Sequence, residues 1–208
     1  MEFDPKLQHP CSILVAGPSQ CGKSQLIKRL ILRDCFTPPM ENIIWCYSEW
    51  QPMYEELQHK VRFRDSIVSP QELDPNYNHL VVIDDFMTSG DDKIQEFFIK
   101  GSHHRNASCI YVVQNLIDKG KNHRTCSLNS HYTVIFKNVR DRGQITHLAR
   151  QMFPTQIKYF TEAYRDATTN PYGYIMLDCK PQTPDHLRLR TDITEPSQTV
   201  YVPENYRA

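Results

Sequence analysis

One short segment of the chain places glycines, a lysine and a hydroxyl residue at the spacing that phosphate binding requires. It reads Gly-Pro-Ser-Gln-Cys-Gly-Lys-Ser and matches the pattern G-x-x-x-x-G-K-[ST] in full. Glycines permit a tight loop whose backbone N–H groups turn inward and hold phosphate oxygens. The lysine reaches the outer phosphates, and the hydroxyl of the last serine is a ligand for Mg²⁺. The predicted nucleotide-binding residues are Gly17, Pro18, Ser19, Gln20, Cys21, Gly22, Lys23 and Ser24.

A second motif supplies the acidic partner that a magnesium site needs. The apolar run Leu80–Ile83 is followed directly by Asp84 and Asp85. Asp84 is predicted to bind Mg²⁺ directly or through water. Asp85 is predicted to orient the attacking water or to accept its proton. A solvated pair of acids at a strand end is the alternative, and the phosphate loop upstream favours the catalytic interpretation.

A third candidate residue ends another strand-like run. Ser108–Asn115 is apolar in its middle and ends in two amides, and Gln114 can hydrogen-bond both the attacking water and the γ-phosphate. A polar strand end that meets solvent is the alternative interpretation. The sequence contains no N-K-x-D run of the kind that reads guanine. ATP is therefore the expected nucleotide.

Strands and helices must alternate along the chain to position these residues. Strands are predicted at 11–16, 42–47, 80–83, 109–113 and 134–136, and two further strands at 172–179 and 186–190 precede a proline-bearing tail. Apolar residues recur at helical spacing directly after the phosphate loop, around 94–98 and around 145–152. The proline-containing stretch after strand 42–47 suggests a helix and loops. This alternation predicts an α/β fold whose mainly parallel central sheet is flanked by helices. We expect a single domain over 1–208, with a core at about 10–170 and an extension over 171–208.

Composition narrows the possible partners. The net charge is zero, so contact with nucleic acid would need a local basic patch. No apolar run approaches the roughly 18 residues of a membrane span, and no membrane partner is expected.

The seven cysteines show no CxxC pair, which favours reduced thiols over disulfides or zinc. His103 and His104 lack a further ligand at metal-binding spacing. Trp45, Tyr47 and Trp50 are expected to pack in a core or an interface rather than on adenine.

Taken in this order, the three motifs resemble the FtsK–HerA superfamily of P-loop DNA motors. The sequence looks closer still to the genome-packaging ATPases of large DNA viruses and of Polinton (Maverick) elements and adintoviruses. The resemblance covers about residues 10–195. It is carried by Ala16–Ser24, Val81–Asp85, Lys100–Asn106, Gln114–Asn115, Ser127–Tyr132, Ala149–Pro154 and Pro171–Tyr174.

The resemblance implies ATP hydrolysis coupled to movement of double-stranded DNA by a homo-oligomeric ring, a hexamer or a pentamer, that docks on a capsid or portal protein. It places Gln114 as a sensor on a strand between the phosphate-loop strand and the Asp84 strand. It also implies that Arg105 is an arginine finger that completes the site of a neighbouring subunit. Arg124, Arg140 and Arg142 are alternatives for that finger. In many members glutamate stands where this chain has Asp85. The implied location is inside the host cell, in the nucleus or cytoplasm, or with the virion.

The basic, glycine-bearing segment 119–124 is read as a loop directly after the sensor. Its residues Lys119, Lys121 and Arg124 are candidates for contact with the DNA backbone, and a solvated loop is the alternative. A second candidate is Arg188–Arg190, where pairing within a sheet is the alternative. Two other functions stay open at this point: a nucleotide or nucleoside kinase, and a non-catalytic nucleotide-binding module.

Overall fold

Strands and helices alternate along the chain. The structure, a computed structural model, describes residues 4–84, 86, 91–101, 105–117 and 121–204. The strands are β1 (Leu7–Gln8), β2 (Ser12–Ala16), β3 (Phe36–Thr37), β4 (Asn42–Tyr47), β5 (Val61–Arg64), β6 (His79–Asp84), β7 (Ala107–Val113), β8 (Tyr132–Phe136), β9 (Tyr174–Asp178), β10 (Leu189–Thr191) and β11 (Thr199–Tyr201). The helices are α1 (Lys23–Leu32), α2 (Asp91–Glu96), α3 (Lys121–Leu128), α4 (Gly143–Met152) and α5 (Ile157–Ala167). A π-helical turn continues α2, and short 3₁₀ turns occur at Pro52–Leu57, Pro70–Glu72 and Asp185–Leu187.

One large sheet organises the described part of the chain. Its nine strands lie in the order β11-β10-β9-β8-β2-β7-β6-β4-β5. The strands from β8 to β5 in this order run parallel, whereas β9, β10 and β11 pair antiparallel with their neighbours. This arrangement confirms the predicted mainly parallel sheet with helices on its faces and additional C-terminal strands.

Alternate residues of β2 separate the core into two layers. Val15 belongs to the apolar cluster that contains Leu26 of α1. Leu14 belongs to the cluster that contains Ala149 of α4 and Phe160 of α5. Since successive strand residues point to opposite faces, α1 covers one face of the sheet and α4 and α5 cover the other. Both layers hold the central strands rigidly and leave the ends of the strands accessible.

The parallel strands bring the three predicted motifs to one edge of the sheet. The phosphate loop follows β2, Asp84 ends β6, and Gln114 follows β7. β7 pairs with both β2 and β6, so it lies between them as predicted. Ligands of open parallel sheets bind at the carboxyl edge of the strands, and all three motifs lie there.

Two predicted elements differ from the structure over part of their length. The segment 119–124 is not a loop throughout, because α3 begins at Lys121. This helix offers few apolar residues, but Cys126 is buried in the core, and such tertiary packing stabilises short helices that propensity alone would not predict. The strand predicted at 186–190 is a 3₁₀ turn over its first residues, and β10 begins only at Leu189. The side chain of Asp185 accepts a hydrogen bond from Arg188 Nε over 2.8 Å, which stabilises this turn.

Several elements are absent from the prediction although part of their signal is present in the sequence. Helix α5 buries Phe160 and Ala163, which recur at helical spacing. Strands β5 and β11 form the two edges of the sheet and have little continuous apolar sequence. Among the described residues, no helix has the length and apolar character needed to cross a membrane. All seven cysteines are free thiols.

Candidate nucleotide-binding site

The phosphate loop joins β2 to α1 through two positions where glycine is required. Gly22 immediately precedes α1 and has φ 104°, a left-handed conformation that favours glycine. A Cβ atom on Gly17 would lie only 2.7 Å from Cβ of Phe136. The Gly17 N–H donates a hydrogen bond to the carbonyl of Val113 over 3.2 Å. The loop is thereby fixed to the end of the strand that precedes Gln114.

The lysine of the loop folds back over the loop itself. Lys23 Nζ donates hydrogen bonds to the carbonyl oxygens of Gly17, at 2.6 Å, and Pro18, at 2.9 Å. These contacts hold the ammonium at the mouth of the loop, beside the positive end of α1. Both features favour a bound anion. The position suits the outer phosphates of a nucleotide, as the sequence motif predicts.

The end of β6 and the first turn of α1 meet at a pair of oxygen atoms. The Ser24 hydroxyl donates a hydrogen bond to Asp84 Oδ2 over 3.2 Å. Asp84 is 4% exposed, and the buried Tyr54 hydroxyl also donates to Oδ2, over 3.3 Å. A hydroxyl and a carboxylate are oxygen donors of the type that Mg²⁺ prefers. The pair therefore fits a magnesium ion, which these two side chains would hold.

A cavity of about 550 Å³ opens over the loop and the ends of β6 and β7. Asp84 and Gln114 line it together with five of the eight predicted nucleotide-binding residues, namely Ser19, Gln20, Gly22, Lys23 and Ser24. Nucleotide-sized ligands occupy cavities of this size. The structure thus brings most of the predicted site residues around one space.

The wall of the cavity includes residues that sequence analysis did not assign. Tyr172 is 66% exposed, has φ 63°, and lies close to Gly22, where an added Cβ would be 3.3 Å from its Cβ and Cδ1 atoms. Arg29 of α1, Gln51 and Met53 also line the space. The stretch around Tyr172 carries part of the family resemblance, but nothing in its spacing indicates a contact with the phosphate loop.

Cys21 belongs to the phosphate loop but packs against the core. Its side chain contacts the apolar cluster on the α1 face, and its Sγ would be 2.7 Å from a Cβ on Gly17. Burial raises the pKa of the Cys21 thiol, and the positive charge of Lys23 opposes this shift only in part. The thiol is therefore more protonated at neutral pH than a free cysteine.

Aromatic residues of β4 and of the segments that follow it form a packed cluster. Trp45 is fully buried, and Tyr47 and Trp50 meet edge to face with ring centroids 5.4 Å apart. Tyr54 stacks on Phe63 at 4.8 Å. The expected packing in the core is confirmed for Trp45, and Tyr47 contacts the same group of rings, whereas Trp50 is 44% exposed. The same cluster holds Tyr54 so that its hydroxyl reaches Asp84.

Other predicted residues lie away from the cavity. Arg105 is partly buried and precedes β7, so the length of that strand, about 20 Å, separates it from the phosphate edge. Arg124 is exposed on α3. Arg140 and Arg142 are exposed between β8 and α4, on the edge that carries the cavity.

Part of the predicted site lies outside the residues that the structure describes. Asp85, Lys119, His103 and His104 belong to this group. Lys121 begins α3, and its side chain is also outside the described part.

Comparison with solved structures shows where this fold occurs. The chain is similar to the genome packaging NTPase B204 from Sulfolobus turreted icosahedral virus 2 in complex with sulfate, with TM-score 0.57, 13% identity, and coverage of 97% of this chain and 98% of that chain. For the complex of the same protein with ATP-gammaS the TM-score is 0.53, with 13% identity and coverage of 97% and 99%. The DNA-packaging ATPase B204 from Sulfolobus turreted icosahedral virus gives 0.51, with 13% identity and coverage of 93% and 97%. No family model and no curated protein matches the sequence. The likeness extends over nearly the whole of each chain and shows a shared fold.

Proposed function

We propose that this chain is an ATP-hydrolysing motor that moves double-stranded DNA, and that its cargo is the genome of a virus or of a related mobile element. The observation that carries the proposal is the contact between Ser24 and Asp84 beside Lys23 in one cavity. A kinase could share these groups. The place of β7 between β2 and β6, with Gln114 at its end, favours a motor that activates water.

In this proposal the residues of one chain bind and orient the nucleotide. The loop N–H groups and Lys23 hold the phosphates of ATP. Ser24 and Asp84 hold Mg²⁺, which when bound neutralises charge on the phosphate oxygens. Gln114 orients the attacking water, and Asp85 accepts its proton. The base lies along the cavity wall against Tyr172, because an exposed aromatic ring beside the loop offers a stacking surface.

A neighbouring subunit would complete the site. Arg105 is on the far edge of the sheet from its own phosphate loop, so it can act only on a nucleotide bound by another chain. A ring of five or six subunits satisfies this requirement, and an arginine finger of this kind contributes about 10³- to 10⁵-fold to turnover. The exposed Arg140 and Arg142 are the alternatives on the cavity edge.

Contact with DNA is assigned to the basic segment around the start of α3. Lys119, Lys121 and Arg124 would follow the phosphate backbone, and α3 follows β7 and the sensor Gln114 in the chain. Neutralising the three residues together should abolish stimulation by DNA and leave basal hydrolysis intact. Lys158→Met, which removes an exposed lysine on α5, is the matched control. Unchanged stimulation in the triple variant would refute this assignment.

The resemblance to packaging ATPases of large DNA viruses, Polinton elements and adintoviruses supports the choice of cargo. So does the fold shared with one packaging NTPase, B204, which was solved with nucleotides. The proposal includes docking on a capsid or portal protein and a location inside the host cell, in the nucleus or cytoplasm, or with the virion.

The deciding experiment measures ATP hydrolysis with and without duplex DNA, using Lys23→Ala as the blank. We expect strong stimulation by DNA that the variant loses. Binding of ATP without any response to DNA, together with phosphate transfer to a nucleoside monophosphate, would identify a kinase instead. Binding with neither activity would indicate a non-catalytic module.

A further inference from the structure

A second cavity lies at the opposite edge of the sheet from the nucleotide site. Its volume is about 480 Å³. Tyr132 at the start of β8 and Asp178 at the end of β9 are register partners, and both line it. Because β8 runs parallel to β2, these residues mark the amino edge of the parallel strands. The cavity is therefore separate from the phosphate loop, which follows the carboxyl end of β2.

The described residues place two cations and one carboxylate in the interior of this cavity. Arg190 Nη2 donates to Asp178 Oδ2 over 3.3 Å, and the two side chains are 1% and 3% exposed. Lys180 is also buried, at 7% exposure, and lines the same space. Asp178 therefore faces two buried cations.

The rim of the cavity carries one acidic and one basic side chain. Asp4 and Lys6 stand there together, and the carboxylate of Asp4 also favours the charged forms of Lys180 and Arg190. The Asp4 carboxylate accepts hydrogen bonds from the Lys6 backbone N–H over 2.9 Å and from Gln8 Nε2 over 3.0 Å. Asp4 is thus engaged with its own segment of chain.

The ammonium group of Lys180 carries hydrogen-bond donors that a ligand would use. Its Nζ lies 4.7 Å from the centroid of the Tyr132 ring. Among the residues that the structure describes, none accepts a hydrogen bond from this ammonium, whose three N–H donors are open to the cavity. Burial lowers the pKa of Lys180, and the carboxylate of Asp178 acts in the opposite direction. An oxyanion beside Nζ would accept hydrogen bonds from these donors.

We propose that this cavity binds a small organic anion whose carboxylate or phosphate head pairs with Lys180. The apolar part of the ligand packs on Tyr132, Pro184 and Leu187, which line the remaining wall. The volume exceeds that of a free inorganic ion and lies in the range of small-molecule sites. The exposed Gln182 at the rim adds an amide that can donate to the same head group. This site does not depend on the function proposed above.

Three probes with one aromatic body test the proposal: phenyl phosphate, benzoate and the neutral benzamide. Calorimetric titration is carried out on the full chain with Mg²⁺ and the non-hydrolysable analogue AMP-PNP present in excess, so that the phosphate loop is occupied. We expect one phenyl phosphate or benzoate per chain and no saturable binding of benzamide. Binding of phenyl phosphate alone would assign a phosphate head, and binding of both would show that a carboxylate suffices.

Variants connect the binding to Lys180. Lys180→Met should weaken the bound probe about tenfold to a hundredfold, the usual effect of losing a charged hydrogen bond, while Lys158→Met leaves it unchanged. Gln182→Glu should weaken binding and Gln182→Lys should strengthen it, and these two variants at one exposed position decide the question if Lys180→Met does not fold. Equal binding by wild type and Lys180→Met, benzamide binding as tight as benzoate, or no saturable binding of either anion would overturn the proposal.

Discussion

The Ser24 hydroxyl donates a hydrogen bond to Asp84 Oδ2 over 3.2 Å, although 60 positions separate the two residues in the chain. The contact joins the first turn of α1, which follows β2 and the phosphate loop, to the end of β6. In the sheet, β7 lies between β2 and β6. Pairing of β2 and β6 with β7 fixes this distance through backbone hydrogen bonds. The rigid sheet, rather than a flexible loop, therefore places the two oxygen ligands together.

Asp84→Asn should lower ATP turnover about 10³-fold, which corresponds to about 4 kcal/mol of transition-state stabilisation. The amide keeps the shape of the side chain but loses the charge that a magnesium ligand needs. Binding of ATP in the absence of Mg²⁺ should change little, since Lys23 and the loop are intact. Steady-state hydrolysis and calorimetry without metal separate the two effects. Asp65→Asn, at an exposed position, is the control, and wild-type turnover by Asp84→Asn would contradict the assignment.

Tyr54→Phe removes the hydroxyl that donates to Asp84 over 3.3 Å and keeps the ring that stacks on Phe63. A residue that hydrogen-bonds to a metal ligand orients that ligand, and removing such a residue weakens metal binding by about tenfold or more. The Mg²⁺ concentration for half-maximal hydrolysis should rise accordingly, while the free energy of unfolding falls by only about 1 kcal/mol. Tyr47→Phe, in the same aromatic cluster, should leave the magnesium dependence unchanged. An equal rise in the Mg²⁺ concentration for half-maximal hydrolysis in both variants would mean that the aromatic cluster acts only through packing.

The sequence allowed the central strands and the phosphate loop to be predicted because each is encoded locally. The apolar residues of β2 and β6 are continuous, and the loop motif and Asp84 follow them directly. The place of β7 between these strands came from the family resemblance, and the strand order confirms it.

Residues that reach the site from distant elements were not predictable in the same way. The contact of Tyr54 with Asp84 depends on a 3₁₀ turn and on stacking against Phe63, neither of which has a periodic signal. Tyr172 reaches the phosphate loop from the connection between α5 and β9, and that helix was itself absent from the prediction. Helix α3 depends on tertiary packing of Cys126 and carries no clear apolar stripe. Long-range packing, which no local pattern contains, positions all three features.

Tyr172→Ala should weaken the binding of ATP about tenfold, because stacking of a base on an aromatic ring contributes about 1–3 kcal/mol. Inorganic triphosphate has no base, so its affinity should be the same for the variant and the wild type. Tyr172→Phe keeps the ring and should bind ATP like the wild type. Calorimetry with both ligands provides the comparison. Equal losses for ATP and triphosphate would mean that Tyr172 supports the adjacent Gly22 and its loop rather than the base.

Alkylation of Cys21 by iodoacetamide should be slow at neutral pH and should abolish ATP binding once complete. Only the thiolate reacts, and burial raises the pKa of Cys21 above its ordinary value. The alkylation rate of Cys21 should therefore increase only at a higher pH than that of free cysteine, whose pKa is about 8.5.

The alkylated side chain has no room beside Gly17 and Phe136. Even a single Cβ on Gly17 would lie 2.7 Å from Sγ of Cys21, so the phosphate loop must deform to hold the adduct. Mass spectrometry follows the modification at each pH, and Cys21→Ser, which should bind ATP before and after treatment, controls for the other thiols. Full ATP binding by fully modified protein would contradict this prediction. So would a rate of alkylation that rises at the same pH as for free cysteine or at a lower pH, because the thiol would then not be half-buried against Gly17 and Phe136.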